Sequence, residues 1–301
     1  MGGNLYFKRV GHIAISGPNG DFIDYGEGMN ALDFKFHIKK SVYNPICEAR
    51  IEVYGLNLPT IQRLTYWGYY KADELMKRRV QVYAGYADSG EGLLYDGYGY
   101  KVTPTQPPNA GVIIEAQNNL TYARKPKSVT VTKEADFRTI VEYVAEELGL
   151  VAKIDSDVPK KKIKQVHISG TERDMIRTLE GLADVYVWLE KGKNTDESNK
   201  EVKGVLRVAN KIQKYPNGLS PLTLDLEHGL LGLNSLTLEG VEARVRLDSR
   251  LDRAGWVNID STLYPKRSSG NYWVHEIEHR GHFRGQEWET LVRAYNTNRL
   301  Y

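Results

Sequence analysis

Residues 32–39 read Leu-Asp-Phe-Lys-Phe-His-Ile-Lys, so apolar and polar side chains alternate along the whole stretch. A period of two is typical of a β-strand, because successive side chains in a strand point to opposite faces of the sheet. Residues 47–54 repeat the alternation a few positions later. The apolar positions of the two stretches predict a buried face, and the charged positions predict a polar face on the other side. Together they indicate an antiparallel sheet with one face in the core.

Further strand-like stretches extend this pattern in both directions along the chain. They lie at residues 79–86, 93–102 and 112–117, and others return after residue 221. The turn sequence Pro18-Asn19-Gly20 favours a hairpin, because Asn-Gly tolerates the positive φ angles of tight turns. Several short strands separated by turns predict a sandwich or a barrel.

The middle of the chain changes to a helical period. Six apolar residues fall on one helical stripe, with Thr132 expected to cap the start and Gly149 the end. A second helix is expected from Thr171 to about Ala183, with Thr171 and Asp174 as a capping box. The residues of the first stripe are Phe137, Ile140, Val141, Val144, Ala145 and Leu148, and those of the second are Met175, Leu179 and Leu182.

The predicted fold class is therefore mainly β with an α+β insertion. We expect a first β-barrel at residues 1–125, a small α+β domain with two helices at residues 126–215, and a second β-barrel at residues 216–301. A chain of 301 residues is long enough for each of these parts to bury its own core.

Composition excludes some functions more clearly than it indicates one. The 41 Lys and Arg residues exceed the 38 Asp and Glu residues by only three, too few to indicate nucleic-acid binding by themselves. Twenty tyrosines against six phenylalanines suit subunit interfaces, where the ring is buried while the hydroxyl stays near water.

Cys47 is the only cysteine, so no disulfide can form within the chain, which fits a reducing cytoplasm. We expect no membrane-spanning segment and no signal peptide.

The sequence His-Glu-Ile-Glu-His at 275–279 matches the HExxH pattern of zinc peptidases. That chemistry needs an α-helix, on which both histidines share a face and reach one metal ion. The neighbouring β-formers and the nearby Gly270 and Gly281 favour a strand instead. A strand would place the two imidazoles on one face but roughly 13 Å apart. We therefore expect no catalytic residue, no metal ligand and no cofactor, and a zinc metallopeptidase is the less favoured alternative.

The order of these parts resembles the baseplate hub family of contractile bacteriophage tails, including the late-control protein D group. It is also similar to the hub part of type VI secretion spike proteins. The stretches that carry the resemblance are Arg50–Leu56, Arg79–Tyr86 with Leu93–Tyr98, Glu172–Trp188 with Gly204–Val208, and Ile277–Trp288. They look like a strand leading into a short helix, a strand pair containing Ala-Gly-Tyr, a helix-then-strand block and a closing hairpin.

The resemblance implies that the two barrels are tail-tube-like and antiparallel, and that the protein is structural rather than enzymatic. It implies a homotrimer that forms a pseudo-sixfold ring, joins the tail tube to the central spike, and leaves a channel for DNA ejection. The implied partners are further copies of the chain, the tail tube protein, the central spike protein and other baseplate proteins, with DNA only in transit. The implied location is the tail baseplate of a virion, after assembly in the host cytoplasm.

Two groups of residues are candidates for lining the channel or a subunit interface. The charged positions of the alternating strands are Lys35, Lys39, Glu48, Arg50 and Arg79. The aromatic positions of a long connection are Tyr66, Trp67, Tyr69 and Tyr70, which either fold back onto their own barrel or dock onto a neighbouring subunit. Another ring-forming tail protein, such as a distal tail protein or a tube terminator, remains an alternative, although simple tube proteins have one barrel.

Overall fold

The computed structural model describes residues 8–16, 22–24, 32–65, 79–106, 108–118, 126–190, 204–211, 215, 219–232, 234–260 and 268–296. These residues are mainly in β-strands, most of them antiparallel, which confirms the predicted mainly β class. The predicted aromatic run Tyr66, Trp67, Tyr69 and Tyr70 lies outside the described residues.

The described strands are numbered in chain order, and so are the helices. The strands are β1 (Arg9–Ser16), β2 (Phe22–Asp24), β3 (Phe34–Ser41), β4 (Glu48–Tyr54), β5 (Arg79–Tyr86), β6 (Gly90–Pro104), β7 (Gly111–Gln117), β8 (Lys127–Val131), β9 (Ala135–Asp136), β10 (Val151–Ile154), β11 (Lys162–Ile163), β12 (Val166–Gly170), β13 (Val185–Glu190), β14 (Val205–Asn210), β15 (Leu222–Leu224), β16 (Ser235–Leu236), β17 (Gly240–Arg246), β18 (Trp256–Ile259), β19 (Gly270–His282) and β20 (Trp288–Tyr295). The helices are α1 (Leu58–Thr65), α2 (Phe137–Leu148) and α3 (Glu172–Ala183).

The chain divides into two compact units. The first consists of Met1–Ser41, Glu48–Gln117 and Lys214–Tyr301, and the second of Val42–Cys47 and Asn118–Gln213. The predicted α+β segment therefore corresponds to most of the second unit, to which the short connection between β3 and β4 also belongs. Within that unit, the Leu189 amide donates a hydrogen bond to the Pro45 carbonyl over 3.0 Å.

The first unit is built on one large sheet of thirteen described strands. Its main path runs β16-β17-β20-β19-β3-β4-β7-β6-β5-β1-β2, and β15 and β18 attach beside β19. The N-terminal strands thus occupy one half of the path and the C-terminal strands the other. The two halves meet where β3 pairs antiparallel with β19, for example Lys39 with Glu278.

The C-terminal half of this sheet has its own apolar cluster. Its members include Leu230, Val245, Val257, Ile277 and Val292, each of them buried. They come from alternate positions of several strands, as the period of two predicts. Burial of such side chains contributes about 1.5–3 kcal/mol each, so the cluster stabilises this half of the sheet.

Arg9 on β1 holds the turn between β19 and β20 through side-chain hydrogen bonds. Its guanidinium donates hydrogen bonds to the carbonyls of His282 at 2.8 Å, Gly285 at 2.6 Å and Gln286 at 2.8 Å. It also lies 5.4 Å from the centre of the Trp288 ring. A planar guanidinium with several donors suits a turn whose carbonyls point inward, because one side chain satisfies several acceptors.

The second unit confirms both predicted helices. All six residues of the first predicted stripe are buried on α2, and Gly149 ends the helix with a φ of 72°. The predicted N-cap was wrong: the helix begins at Phe137, and Asp136 rather than Thr132 caps it by accepting a hydrogen bond from the Arg138 amide. Asp136 lies directly before the first helical residue, where a side-chain oxygen reaches the unpaired amides.

Helix α3 has the predicted capping box between Thr171 and Asp174. Met175 and Leu179 are fully buried as expected. Ile176, which was not predicted to lie on the buried stripe, is also fully buried, whereas Leu182 was predicted to be buried and is not. Leu182 is only partly buried. Both helices pack on one apolar core with strands of a three-stranded sheet in the order β10-β14-β13.

Candidate functional surface on the large sheet

The large sheet has a polar face that can be followed strand by strand, because directly paired residues point to the same side. We call the following residues the polar face. Its first row is Arg244, Leu291, Glu278, Lys39, Glu48, Gln117, Tyr98 and Arg79. The second row is Arg246, Glu289, Arg280, His37, Arg50, Glu115 and Lys101. Two shorter rows are Glu242, Arg293, Glu276 and Ser41, and His282, Lys35, Glu52, Ile113 and Thr103.

The structure brings the described candidate residues together on this face. Lys39, Glu48 and Arg79 belong to one row, although they lie on three different strands. Lys35 and Arg50 lie in neighbouring rows of the same face. The first row crosses eight strands of the path from β17 to β5, so both halves of the sheet contribute to the face.

Glu278 is the centre of an ion network on this face. Its side chain is only 7% exposed. It lies 2.9 Å from the Arg293 guanidinium on β20, 2.5 Å from that of Arg280, and 3.2 Å from the His37 imidazole on β3. Burial alone would raise the pKa of Glu278, but the hydrogen bonds from Arg280, Arg293 and His37 outweigh it and lower the pKa to about 2. The carboxylate is therefore ionised at any physiological pH.

Arg293 links three carboxylates from two neighbouring strands. Its Nε donates to Glu242 at 2.7 Å, and its Nη1 contacts both Glu276 and Glu278. Burial opposes the charge, but the three carboxylates more than offset it and raise the pKa of Arg293. Lys39 reaches the same group from β3, with its Nζ 3.1 Å from Glu276. The network therefore crosses the junction of the two halves of the sheet.

The more distant cations of the face are paired in the same way. Arg50 lies 3.1 Å from Glu52, and Lys101 lies 2.9 Å from Glu115. At the far end of the first row, Arg79 makes a two-pronged contact with Asp96, with its Nε at 2.8 Å from the carboxylate. Lys35 lies 5.4 Å over the Tyr54 ring. The face thus carries both signs of charge in close pairs, some within one strand and others between neighbouring strands.

Sequence reasoning missed Glu276, Glu278 and Arg293 as members of this surface. The two glutamates were considered only as parts of the HExxH pattern. The signal was nevertheless present, because Glu276, Glu278 and Arg280 recur with the period of two that reveals the polar side of a strand.

The HExxH segment lies in strand β19, as predicted. The expectation that both histidines share one face was wrong. Val274 pairs with Ala294 and Glu276 pairs with Arg293, so His275 is an extra residue that forms a β-bulge. His275 stacks on Tyr295 at 4.3 Å between ring centres, whereas His279 points into the core and shares a 2.8 Å hydrogen bond with Thr290.

Each histidine is held neutral by its surroundings. Burial lowers the pKa of His275 to about 4 and that of His279 to about 3. The helix that a zinc peptidase needs is absent from this segment, since residues 270–282 form one strand. In the part of the chain that the structure describes, no group of three or more His, Cys, Asp or Glu side chains is arranged to hold a metal ion.

The same fold occurs in solved tail and secretion proteins. A tail protein from Neisseria meningitidis MC58 matches with a TM-score of 0.61 at 8% identity, covering 96% of this chain and 97% of that one. The 43 kDa tail protein of prophage MuSo2 from Shewanella oneidensis matches with a TM-score of 0.57 at 10% identity, covering 95% and 97%. A type VI secretion component from E. coli, described as similar to the phage T4 tail proteins gp27 and gp5, matches with a TM-score of 0.55 at 12% identity, covering 87% and 73%.

These likenesses define the class of the protein by its fold: it has the architecture of phage tail and type VI secretion proteins. The chain belongs to the baseplate hub gp41 family, whose model matches residues 22–291. Among curated proteins, no sequence matches the chain. The family confirms the resemblance to baseplate hubs and locates the protein in the tail baseplate of a virion. None of the described helices has the length and apolar character needed to cross a membrane.

Proposed function

We propose that the protein is the structural, non-enzymatic hub of a phage baseplate. Three copies form a pseudo-sixfold ring that joins the tail tube to the central spike and leaves a channel for DNA ejection. Its partners are further copies of itself, the tube protein, the spike protein and other baseplate proteins, and it assembles in the host cytoplasm. DNA is a partner only in transit.

The observation that carries this proposal is the polar face. A hub needs a broad surface of ordered strands that can face a lumen, and the first row of this face crosses eight strands without a break. Its charges alternate in sign, and a surface of mixed sign holds a polyanion less tightly than a uniformly basic one. We infer that Lys35, Lys39, Glu48, Arg50 and Arg79 line the channel.

The arrangement of strands supports two tube-like barrels in each chain. N-terminal and C-terminal strands occupy separate halves of the path, and the C-terminal half has an apolar cluster of its own. Three chains would then supply six similar barrels, on which a sixfold tube can sit while a threefold spike binds the other side.

Assembly tests the proposal directly. The protein is mixed with its tube and spike proteins, and mass is measured by light scattering while the particles are imaged by electron microscopy. We expect three hub chains for every three spike chains, and a ring with an open central pore that carries the polar face on its inner wall. A hub that stays monomeric in the presence of both partners contradicts the proposal, as does a ring whose pore is lined by other residues.

A further inference from the structure

Each of the cations Lys39, Arg280 and Arg293 at the junction of β3 and β19 is paired with at least one carboxylate that is more buried than the cation itself. Glu242, Glu276 and Glu278 together contact both the Nε and the Nη1 of Arg293. The Glu278 carboxylate also contacts Arg280 and His37, and Glu276 contacts Lys39. The buried Glu278 carboxylate thus contacts side chains of its own strand and of both neighbouring strands.

This arrangement changes what a phosphate group would meet at the surface. A polyanion binds a basic surface because Lys and Arg side chains replace its condensed counterions. A guanidinium that already makes short hydrogen bonds to carboxylates can do so only by breaking them. The carboxylates remain charged while it does so, and they repel the phosphate.

We propose that Glu242, Glu276 and Glu278 form an anionic mask that prevents Arg293, Arg280 and Lys39 from binding the phosphate backbone of DNA. The inference rests on the proposed function in one respect only, that this face meets DNA. The mask makes the junction non-adhesive, so a duplex can slide past three arginine and lysine side chains without being retained.

The geometry favours a mask over a simple excess of negative charge. Glu276 and Glu278 are each paired with neighbouring cations, so the opposite charges largely cancel far from the surface. Their effect is local, on the cations they touch. The side chains of Lys39 and Arg280 are 48% and 37% exposed, so removal of the carboxylates would leave these accessible cations without their ion-pair partners and able to bind a phosphate.

The test measures binding of a fluorescein-labelled DNA duplex of about 30 base pairs to the purified full chain, by fluorescence anisotropy over a range of salt concentrations. We expect the double variant Glu276→Gln/Glu278→Gln to bind at least about tenfold more tightly than the wild type near 100 mM salt, with a steeper salt dependence. Adding Lys39→Gln and Arg280→Gln to the double variant should abolish most of the gain, because these are the two more exposed cations of the junction. The matched control is Glu142→Gln/Glu146→Gln on the exposed side of α2, which changes net charge equally and should leave DNA affinity unchanged.

Folding of every variant is checked by its thermal unfolding curve. If the double variant does not fold, the single substitutions Glu276→Gln and Glu242→Gln are used, since each removes one carboxylate of the mask and leaves Glu278 in place. A folded variant with no gain in affinity overturns the proposal, and so does an equal gain in the α2 control. Because binding is measured on the isolated chain, these outcomes are independent of ring formation, which is scored separately with the tube and spike proteins.

Discussion

Two adjacent residues on β19 have opposite environments. Glu278 lies on the polar face and is ionised, whereas His279 lies in the core, fully buried and neutral. Alternation along the strand explains their separation, because neighbouring side chains point to opposite sides of a sheet. The bulge at His275 determines which of the two faces each residue of the HExxH segment occupies.

Because His279 is buried in its neutral form, we expect the folded protein to lose stability in acid. Its pKa falls from the ordinary value of 6.5 to about 3, so the unfolded chain binds a proton that the folded chain does not. Stability is therefore complete above about pH 6.5 and decreases as the pH falls toward 3. We expect His279→Gln to reduce the pH slope of the unfolding free energy by about 1.4 kcal/mol per pH unit between about pH 4 and 6.

Urea unfolding at a series of pH values measures this slope, and His167→Gln is the control because His167 is exposed on β12 in the second unit. An unchanged slope in His279→Gln would mean that the imidazole is not held neutral. Below about pH 4.5, protonation of Glu278 in the unfolded chain adds a further loss of stability in wild type and variant alike, since its folded pKa is about 2.

Much of this residue-scale chemistry could be predicted from the sequence, and one part could not. The β-formers around His275 predicted a strand, and the strand is confirmed. The bulge was not predictable, because it depends on how β19 and β20 are aligned, and a single strand contains no information about the register of its partner.

At the scale of single elements, helix α2 follows its sequence most closely. Val144 is fully buried on the predicted stripe, whereas Glu142, two residues earlier, is exposed. Helical periodicity is a local property, so it can be read without knowing the rest of the fold. Local sequence did not predict the N-cap correctly, because Thr132 and Asp136 are both good capping residues and packing decides between them.

We expect Val144→Asp to lower the unfolding free energy of the second unit by roughly 3 kcal/mol or more, because it buries a charge without a partner. Glu142→Asp, which places the same side chain on the exposed side of the helix, should cost only a few tenths of a kcal/mol. Circular dichroism during chemical unfolding measures both. Similar losses for the two variants would show that the buried side of the helix has been assigned wrongly.

The hairpin of β19 and β20 depends on the side chain of Arg9, which donates hydrogen bonds to the carbonyls of its turn. Arg9→Lys keeps the positive charge but loses the planar fork that reaches three carbonyls, so we expect a loss of about 1–2 kcal/mol. Arg50→Lys is the control, because Arg50 is half-exposed and pairs with Glu52 at the surface. Thermal unfolding of the two variants gives the comparison, and equal melting temperatures would contradict the role assigned to Arg9.

At the scale of the whole molecule, the most important feature is the pairing of β3 with β19, which joins the two halves of the large sheet. The sequence predicted that both segments are strands, and that the segment of β3 has one polar face, but it could not predict that they are neighbours. Periodicity specifies which side of a strand is buried, and it does not specify which strand lies beside it. The candidate residues Lys35 and Lys39 were therefore identifiable one by one, while the β19 carboxylates that contact Lys39 were not.

This pairing predicts that the large sheet does not survive loss of its C-terminal strands. A chain ending at Asp260 lacks β19 and β20, which leaves the apolar side of β3 exposed along one edge. We expect amide hydrogen exchange to show that β3 and β4 lose protection, whereas α2 and α3 keep theirs because their core lies within the second unit. Retention of full protection in β3 would contradict the pairing.

The junction of β3 and β19 also has a consequence for how the protein is made. Ser41 pairs with Glu276, so the two paired strands are far apart in sequence. Arg9 is even farther in sequence from the turn at residues 282–286 whose carbonyls it contacts. Contacts between residues so far apart in sequence form slowly, because a long loop must close first. During translation the N-terminal strands emerge from the ribosome well before β19 exists, and their unpaired edge must be kept from other nascent chains. The sheet is therefore completed only after the hairpin of β19 and β20 has left the ribosome.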